Sequence, residues 1–153
     1  MERRIFSGKY ISKTRREDAG LFKYASILAV GGAGYYALEL MWRGHSHWSM
    51  AVCGAICLLA MYEINRLIPH SPLLLRALAC AVAITAVEFI TGCIVNIWLG
   101  WQVWDYHEAP FNLLGQICLL FSFLWFLLSL PVCTAYTLIE IYKSRKNSPK
   151  EIL

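Results

Sequence analysis

Charged residues are scarce in this 153-residue chain. They make up 16% of it, and hydrophobic residues make up 58%, whereas soluble domains average roughly 25% and 45–50%. The segment 113–139 carries no charged side chain, and the segment 77–99 carries only Glu88. Uncharged stretches of this length exclude an ordinary soluble domain and indicate that lipid is the main solvent of the chain.

Motifs of several enzyme and ligand-binding classes are also missing. The chain has no G-x-x-x-x-G-K-[ST] loop, which excludes a P-loop ATPase within it, and no G-x-S-x-G, H-E-x-x-H or EF-hand pattern. Its six cysteines form no C-x-x-C pair and lie in apolar runs, so we interpret them as packing residues. The first twenty residues are polar and basic, so we expect no cleaved signal peptide. We expect no metal and no cofactor.

Four apolar segments remain, and each is long enough to cross a bilayer as a helix. They are 21–42, 48–67, 73–99 and 113–142, and about 20 helical residues cross a hydrocarbon core of roughly 30 Å. We therefore predict an all-α bundle of four transmembrane helices over residues 21–142, between basic tails at 1–20 and 143–153. The glycines between residues 31 and 34 would give the first helix a smooth face for close packing.

The positive charges predict the orientation of the chain. Thirteen of the 14 Lys and Arg residues fall on one side of a four-span arrangement, at the tails and the middle connection, and only Arg43 falls on the other. The positive-inside rule therefore places both termini in the cytoplasm. Because orientation accounts for the net charge of +4, we expect no nucleic-acid partner. Five tryptophans fall at the opposite boundary, as an aromatic belt requires: Trp42, Trp48, Trp98, Trp101 and Trp104.

Short segments of the two halves resemble each other. Trp42-Arg43-Gly44 matches Trp98-Leu99-Gly100, and the segment 54–59 (GAICLL) matches the segment 115–120 (GQICLL). The pattern favours two repeated helical hairpins, a design that many transporters use, although apolar segments also match by chance.

Glu88 is the main candidate for chemistry. It lies near the middle of the third span, where a carboxylate costs at least about 2.5–3.5 kcal/mol. On a helix, Thr85, Gly92 and Asn96 share its broad face and could line a polar cavity. Two interpretations stay open: an acid that couples transport to protons or cations, and a protonated acid that hydrogen-bonds a neighbouring helix and holds the bundle together.

Two further acids have a basic neighbour at helical spacing. Glu39 and Arg43 are four residues apart, and Glu63 and Arg66 are three apart, so each pair can form an ion pair on one helix face. For both pairs a structural role competes with a functional one. Gln116 is placed one turn into the fourth span and could hydrogen-bond Glu88 or Asn96.

The connection before the fourth span, 100–112, is polar and aromatic. Asp105 or Asn112 could cap a helix there, and we expect the connection to cover the mouth of the bundle. With His45 and His47 it could hold a divalent metal, but no ligand set is complete. Our candidate substrate- or ion-binding residues are Glu88, Asn96, Asp105, Asn112, Gln116 and Glu39.

The second half carries the motifs of a known family. Val87-Glu88-Phe89 is followed by Trp104-Asp105-Tyr106, by the segment 111–119 (FNLLGQICL), and by Ser122 and Trp125. Together they resemble the bacterial family labelled Putative ABC-transporter type IV, or CmpB-like permeases, over about residues 21–142. His107 stands where the family often has Ser, and Gln116 stands where it often has Arg. The absence of that Arg removes a cationic partner for Asp105 or Glu88.

The resemblance implies a transporter-like protein of a bacterial cytoplasmic membrane, embedded in the lipid bilayer. An ATPase subunit would be a separate chain, and four helices are few for a transport path, so we expect a homo-oligomer. A permease-like subunit would have a water-filled path to Glu88. A structural or regulatory protein that binds a partner through its small-residue faces would be packed without a cavity. An outer-leaflet enzyme would bring acid–base residues to one point, from among His47, Asp105, His107 and Glu108.

Overall fold

The computed structural model describes residues 2–147, without the side chains of 2–17, 19 and 147. Its helices are α1 (Glu2–Arg43), α2 (Trp48–Leu67), α3 (Leu73–Gly92) and α4 (Leu119–Asn147). A π-helical segment, Cys93–Trp98, continues α3, and β1 (Asn112–Leu113) pairs antiparallel with β2 (Ile117–Cys118) directly before α4. α1 packs mainly on α2, α3 packs mainly on α4, and α2 also contacts α3. The predicted all-α, four-helix bundle is confirmed.

Within residues 2–147, three helical segments are long and apolar enough to cross a membrane: Trp48–Leu67, Leu73–Trp98 and Leu119–Lys146. The chain is therefore a multi-pass membrane protein. The predicted first span, 21–42, forms the second half of α1 and is not among these three, so its crossing stays a prediction. α1 itself begins at Glu2 and runs without interruption through the predicted boundary between tail and span.

The fourth helix begins later than the sequence predicts. Our predicted span starts at residue 113, but α4 starts at Leu119. Leu114 and Gly115 have φ angles of +52° and +68°, and an α-helix requires negative φ at every residue. The chain turns there and forms the short β-hairpin. Gln116 therefore lies in this hairpin, and its predicted place one turn into the fourth span is wrong.

Glycines bring α1 and α2 into backbone contact. A Cβ atom added at Gly31 would lie 2.6 Å from the carbonyl oxygen of Gly54, and one added at Gly32 would lie 2.8 Å from that of Ala51. Since both distances are too short for any side chain, this approach requires glycine. The predicted smooth face is confirmed at Gly31 and Gly32, whereas Gly34 has no neighbour within 4 Å and does not take part.

One of the two pairs of matching segments has the same structure in both halves. Gly44 and Gly100 each follow a helical segment with a positive φ, 73° and 65° respectively, as glycines that end helices do. The other pair, 54–59 and 115–120, differs in structure, because Gly54 lies inside α2 and Gly115 lies in the hairpin turn. The likeness of the two halves is therefore limited to the ends of α1 and of the π-helical segment.

The bundle has two ends, which we name by their connections. The loop end holds the α1–α2 and α3–α4 connections, and there Arg43 Nη1 donates to the carbonyl oxygen of Val103 at 3.0 Å. The tail end holds the α2–α3 connection, and there Arg76 Nη2 donates to Thr137 Oγ1 at 2.7 Å. Alternate connections thus lie at opposite ends, in agreement with the predicted topology. Which end faces the cytoplasm stays a prediction.

Sulfur-bearing residues contribute much of the core. All six cysteines are free thiols, and five of them are at most 4% exposed. The packing role predicted for cysteine is confirmed at these five: Cys53, Cys57, Cys80, Cys118 and Cys133.

Candidate functional site

Glu88 lies inside the bundle, where side chains from two other helices bind it. It is 5% exposed. The hydroxyl of Tyr35 on α1 donates to its Oε1, and the indole N–H of Trp125 on α4 donates to its Oε2 at 2.5 Å. The rings of Tyr35 and Trp125 pack with their centroids 5.4 Å apart. One carboxyl of α3 thus connects α1 to α4, and we refer to Glu88, Tyr35 and Trp125 as the Glu88 cluster.

This geometry favours the structural interpretation of Glu88. A buried acid with a donor on each oxygen joins helices through satisfied hydrogen bonds. The polar stripe predicted beside it is used for packing: Gly92 lies against Gln116, and Asn96 donates to the same side chain. Thr85, one turn before Glu88, donates to Ser122 Oγ at 3.2 Å. The stripe therefore contacts α4 and the residues just before it.

A pocket of about 300 Å³ lies between α1 and α4 near the loop end. We refer to it as the α1–α4 pocket. Tyr35 and Trp125 form part of its wall, so the Glu88 carboxyl is one side chain away from it. The lining is aromatic and aliphatic apart from one ion pair: Tyr35, Leu38, Glu39, Trp42, Arg43, Tyr106, Phe121, Leu124, Trp125 and Leu128.

The polar edge of the α1–α4 pocket is the Glu39–Arg43 ion pair. Arg43 Nη2 donates to Glu39 Oε2 at 2.6 Å, and Ser46 Oγ donates to the same oxygen at 3.0 Å. The predicted ion pair is confirmed. The Nε of Arg43 is buried and has no partner among the described residues. An unsatisfied donor of this kind costs roughly 1–3 kcal/mol, so it favours an acceptor atom brought by a ligand or by water.

Hydrogen bonds hold the connection 99–118 onto α3 and its π-helical continuation. The Asn96 side chain donates to Gln116 Oε1 at 2.8 Å and accepts from the Val103 N–H at 2.7 Å. The indole N–H of Trp104, a residue only 7% exposed, donates to the Gln116 carbonyl oxygen at 2.9 Å. Of the two partners expected for Gln116, the structure shows Asn96. Residues 99–118 therefore lie in order over the loop end, and we refer to this segment as the cover.

Asp105 lies on the exposed side of the cover. It accepts from the backbone N–H of His107 at 2.8 Å and also from the His107 ring. Both side chains are about two-thirds exposed, at 67% and 65%. The His107 backbone N–H, followed by its ring, holds the pKa of the Asp105 carboxyl below its ordinary value. Asp105 therefore stays ionised at neutral pH.

Asn112 fixes the turn that leads into the β-hairpin. Its amide donates to the carbonyl oxygens of His107 and Ala109 at 3.0 and 2.9 Å. Its Oδ1 accepts from the Gly115 N–H at 3.1 Å. The side chain thus caps a turn, and not the helix that the sequence suggested.

Two of the candidate outer-leaflet catalytic residues, Asp105 and His107, contact each other, but both side chains are exposed and not enclosed in a pocket. His47 packs on the rings of Trp48 and Trp101 and caps the start of α2. The Asp105–His107 pair points to the exposed side of the cover. Within the part of the chain that the structure describes, no three His, Cys, Asp or Glu side chains are grouped to hold a metal.

The six predicted site residues are therefore spread over three places. Glu39 lies on the pocket edge, Glu88 lies behind the pocket wall, and the other four belong to the cover or its attachment to the π-helical segment. Sequence reasoning missed Tyr35 and Trp125 as partners of Glu88. No local sequence pattern marks either residue, because Tyr35 and Trp125 lie on helices distant from Glu88 along the chain.

Comparison with protein families gives one match. Residues 44–152 match the family described as Putative ABC-transporter type IV. The match includes α2, α3, α4 and the cover, and it begins after α1, whereas our predicted resemblance begins at residue 21. No curated protein matches the chain, and no solved structure matches it. Because the match spans more than two thirds of the sequence, the chain belongs to the Putative ABC-transporter type IV family.

Proposed function

We propose that this chain is a permease-like membrane subunit that binds an amphiphilic molecule in the α1–α4 pocket. The observation that carries the proposal is the composition of this pocket, which has an aromatic and aliphatic wall and one charged edge. Small-molecule sites are usually concave and apolar, with a few placed polar groups. A position between two helices, rather than on the bundle axis, gives a molecule dissolved in lipid direct access.

The size and lining of the pocket define the class of ligand. An apolar chain or ring would lie along Leu38, Leu124 and Leu128, and a polar head would reach Glu39 and Arg43. The buried Nε of Arg43 would donate to an oxygen of that head once the side chain shifts to meet it. A volume of about 300 Å³ is at the small end of ligand pockets, which favours one alkyl chain or a small ring system over a whole phospholipid.

In this proposal Glu88 positions the pocket wall. Its two hydrogen bonds hold the rings of Tyr35 and Trp125, and both rings line the pocket. A coupling role for Glu88 would need a water-filled path. The carboxyl is 5% exposed and lines neither this pocket nor the cavity between α3 and α4, so the proposal does not depend on coupling.

The remaining parts of the proposal concern assembly and orientation. The family match supports a transporter subunit. Because four helices are few for a transport path, we propose that a homo-oligomer and a separate ATPase chain complete it. The distribution of Lys and Arg supports cytoplasmic termini in a bacterial cytoplasmic membrane. The loop end, and with it the α1–α4 pocket, would then lie in the outer leaflet.

Photolabelling of the full chain in nanodiscs tests the pocket. The probes are alkyl amphiphiles with a diazirine on the chain and an anionic, cationic or neutral head. We expect labels on pocket residues of α1 and α4, and about a tenfold loss of labelling in Leu124→Trp, which corresponds to about 1.4 kcal/mol of binding free energy. Leu127→Trp is the matched control, because it is exposed like Leu124 (43% and 38%) but does not line the pocket. Equal labelling of both variants would overturn the proposal.

A structural or regulatory role is the second candidate. The enclosed Glu88 carboxyl and the glycine contact between α1 and α2 favour it, because both features stabilise a bundle without needing a substrate. Labelling spread evenly over all lipid-facing positions, with no preference for any headgroup, is the result expected from this candidate.

A further inference from the structure

A second polar cluster lies in the tail-end half of the bundle, away from the α1–α4 pocket. Cys80 on α3 and Cys133 on α4 are both 0% exposed, and their sulfur atoms lie 3.8 Å apart. Asn65 on α2, which is 1% exposed, donates one side-chain N–H to the Met61 carbonyl oxygen at 2.8 Å and shares the other between the two sulfurs, at 3.7 and 3.4 Å. Three helices thus bring two thiols and one amide donor to the same buried point.

Arg76 places a positive charge beside this point. It precedes Cys80 by four residues, so both side chains lie on one face of α3. It is 5% exposed, its Nη2 donates to Thr137 Oγ1 at 2.7 Å, and its Nε has no partner among the described residues. The ion pairs found within residues 2–147 do not include it. Because a buried charge without a counter-charge is costly, the site favours a negatively charged group.

We propose that Cys80 and Cys133 form a binding site for a soft monovalent cation, Cu(I) or Ag(I). Thiolate ligands select such ions. On binding, each thiol releases one proton and forms one sulfur–metal bond, without oxidation or reduction. The resulting bis-thiolate complex carries one negative charge, which the guanidinium of Arg76 neutralises. The Asn65 N–H that is not donated to the Met61 carbonyl oxygen stabilises the charge on the sulfurs, as second-shell donors do in metal sites.

The ligand set argues against a divalent ion. Structural zinc takes four ligands, and no third His, Cys, Asp or Glu joins the pair within the described chain. The thioether of Met61, a residue that is 4% exposed, belongs to the same buried cluster as Cys80 and Cys133. Thioether sulfur is also a soft ligand. The thiols and the thioether therefore select the same class of metal.

Silver titration of the reduced full chain tests the site, with Ag(I) alone as the probe. The first variant keeps only Cys80 and Cys133, with the other four cysteines changed to Ala. We expect it to retain one Ag(I) per chain against a competing soluble thiol and to show sulfur-to-metal charge-transfer absorption. Adding Cys80→Ala or Cys133→Ala should weaken binding at least about 100-fold, and Arg76→Met about 10–100-fold at unchanged stoichiometry, the range of second-shell effects.

The matched control keeps only Cys53 and Cys57, which are equally buried, at 1% and 4% exposure, but lie on one helix without an arginine beside them. Equal affinity of the two chains would overturn the proposal, and so would unchanged binding after Cys80→Ala. If the multiple variant does not fold, Cys80→Ala in the otherwise unchanged chain must bind one Ag(I) fewer than the wild type. The result is independent of the α1–α4 pocket, because no cysteine lines that pocket.

Discussion

The two hairpins of this bundle are held together in different ways. α1 and α2 approach through glycines, with Gly31 and Gly54 in backbone contact. α3 and α4 are joined by side-chain pairs such as Thr85–Ser122 and Arg76–Thr137. An open groove of about 830 Å³ between the two helices is lined by apolar side chains and by Thr85 and Ser122. Because lipid removes the hydrophobic attraction between helices, close packing and interhelical hydrogen bonds are the two means left. The first hairpin combines the glycine contact with side-chain bonds at its tail end, from Lys23 to Tyr62 and from Tyr24 to Glu63, whereas the second relies mainly on side-chain bonds.

The Glu88 cluster lies where the two halves meet. Its carboxyl belongs to the second hairpin, and Tyr35 belongs to the first, next to the glycine contact. The position of Tyr35 therefore depends on both the close packing of α1 on α2 and the hydrogen bond from α3. Substitutions in either hairpin should therefore alter the α1–α4 pocket through Tyr35. The sizes of their effects on stability test the comparison of the two hairpins.

The largest loss of folding stability is expected from Gly54→Ala in the first hairpin. A Cβ atom at this position would lie 2.2 Å from Tyr35 Cβ and 2.6 Å from the Gly31 carbonyl oxygen. Since backbone must move to admit it, we expect a loss of about 3 kcal/mol, the upper part of the usual overpacking range. Thermal unfolding in detergent measures it. The control is Gly34→Ala, where nothing lies within 4 Å and stability should rise by up to about 1 kcal/mol. Similar unfolding temperatures for the two variants would contradict the glycine contact.

A smaller effect is expected at the junction, from Glu88→Gln. The amide keeps one acceptor oxygen but turns an NH₂ group toward either Tyr35 or Trp125, so one buried donor loses its partner. We expect a loss of about 1–3 kcal/mol, and a greater loss for Glu88→Leu, which leaves both donors unpaired. Glu63→Gln is the control, because its ion pair with Arg66 is partly exposed, at 28% and 54%, and the amide oxygen can still accept from Tyr24, so the change should cost at most about 1 kcal/mol.

The outcome also separates the two interpretations of Glu88. A structural acid loses stability when it is changed to Gln, whatever happens to flux. A coupling acid keeps its stability and loses proton- or cation-dependent flux in liposomes. Unchanged unfolding of Glu88→Gln together with lost flux would therefore restore the coupling interpretation.

The sequence predicts a structural feature when neighbouring residues determine it, and fails when contacts between distant segments do. The bounds of α2 follow from local signals, since polar residues precede Trp48 and prolines follow Leu67. The start of α4 does not, because the apolar run from residue 113 is typical of a helix. Leu114 adopts a positive φ in the β-hairpin. The hairpin turn is held by Asn112, which accepts from the Gly115 N–H, and by the packing of Gly115 on His107, so its shape depends on contacts within the cover.

The candidate site divides in the same way. Glu88 could be selected from the sequence because a lone acid in an apolar span is costly wherever it lies. Its partners could not, because Tyr35 and Trp125 come from helices 53 and 37 residues away along the chain. The Cys80–Cys133 pair is likewise a product of α3–α4 packing. Composition identifies the group that needs a partner, and only the packing of the helices supplies it.

The smallest effect is expected in the cover, which has no counterpart in the first hairpin. Hydrogen bonds from His107 hold the pKa of Asp105 below its ordinary value, which is about 3.9. A carboxyl with a depressed folded-state pKa stabilises the fold above its unfolded pKa, and this contribution is lost as pH falls through the folded value. Acidification to below about pH 4 should therefore release the His107 backbone N–H, which amide hydrogen exchange and chemical shift can follow. Asp105→Asn should abolish this pH dependence, whereas Glu108→Gln, at a neighbouring exposed acid, should keep it. A midpoint at or above the ordinary aspartate value would mean that the turn at His107 does not form in solution. The cover would then be held by its remaining contacts, among them the Asn96–Gln116 bond, the Trp104 bond to Gln116 and the bond from Arg43 of the first hairpin to Val103.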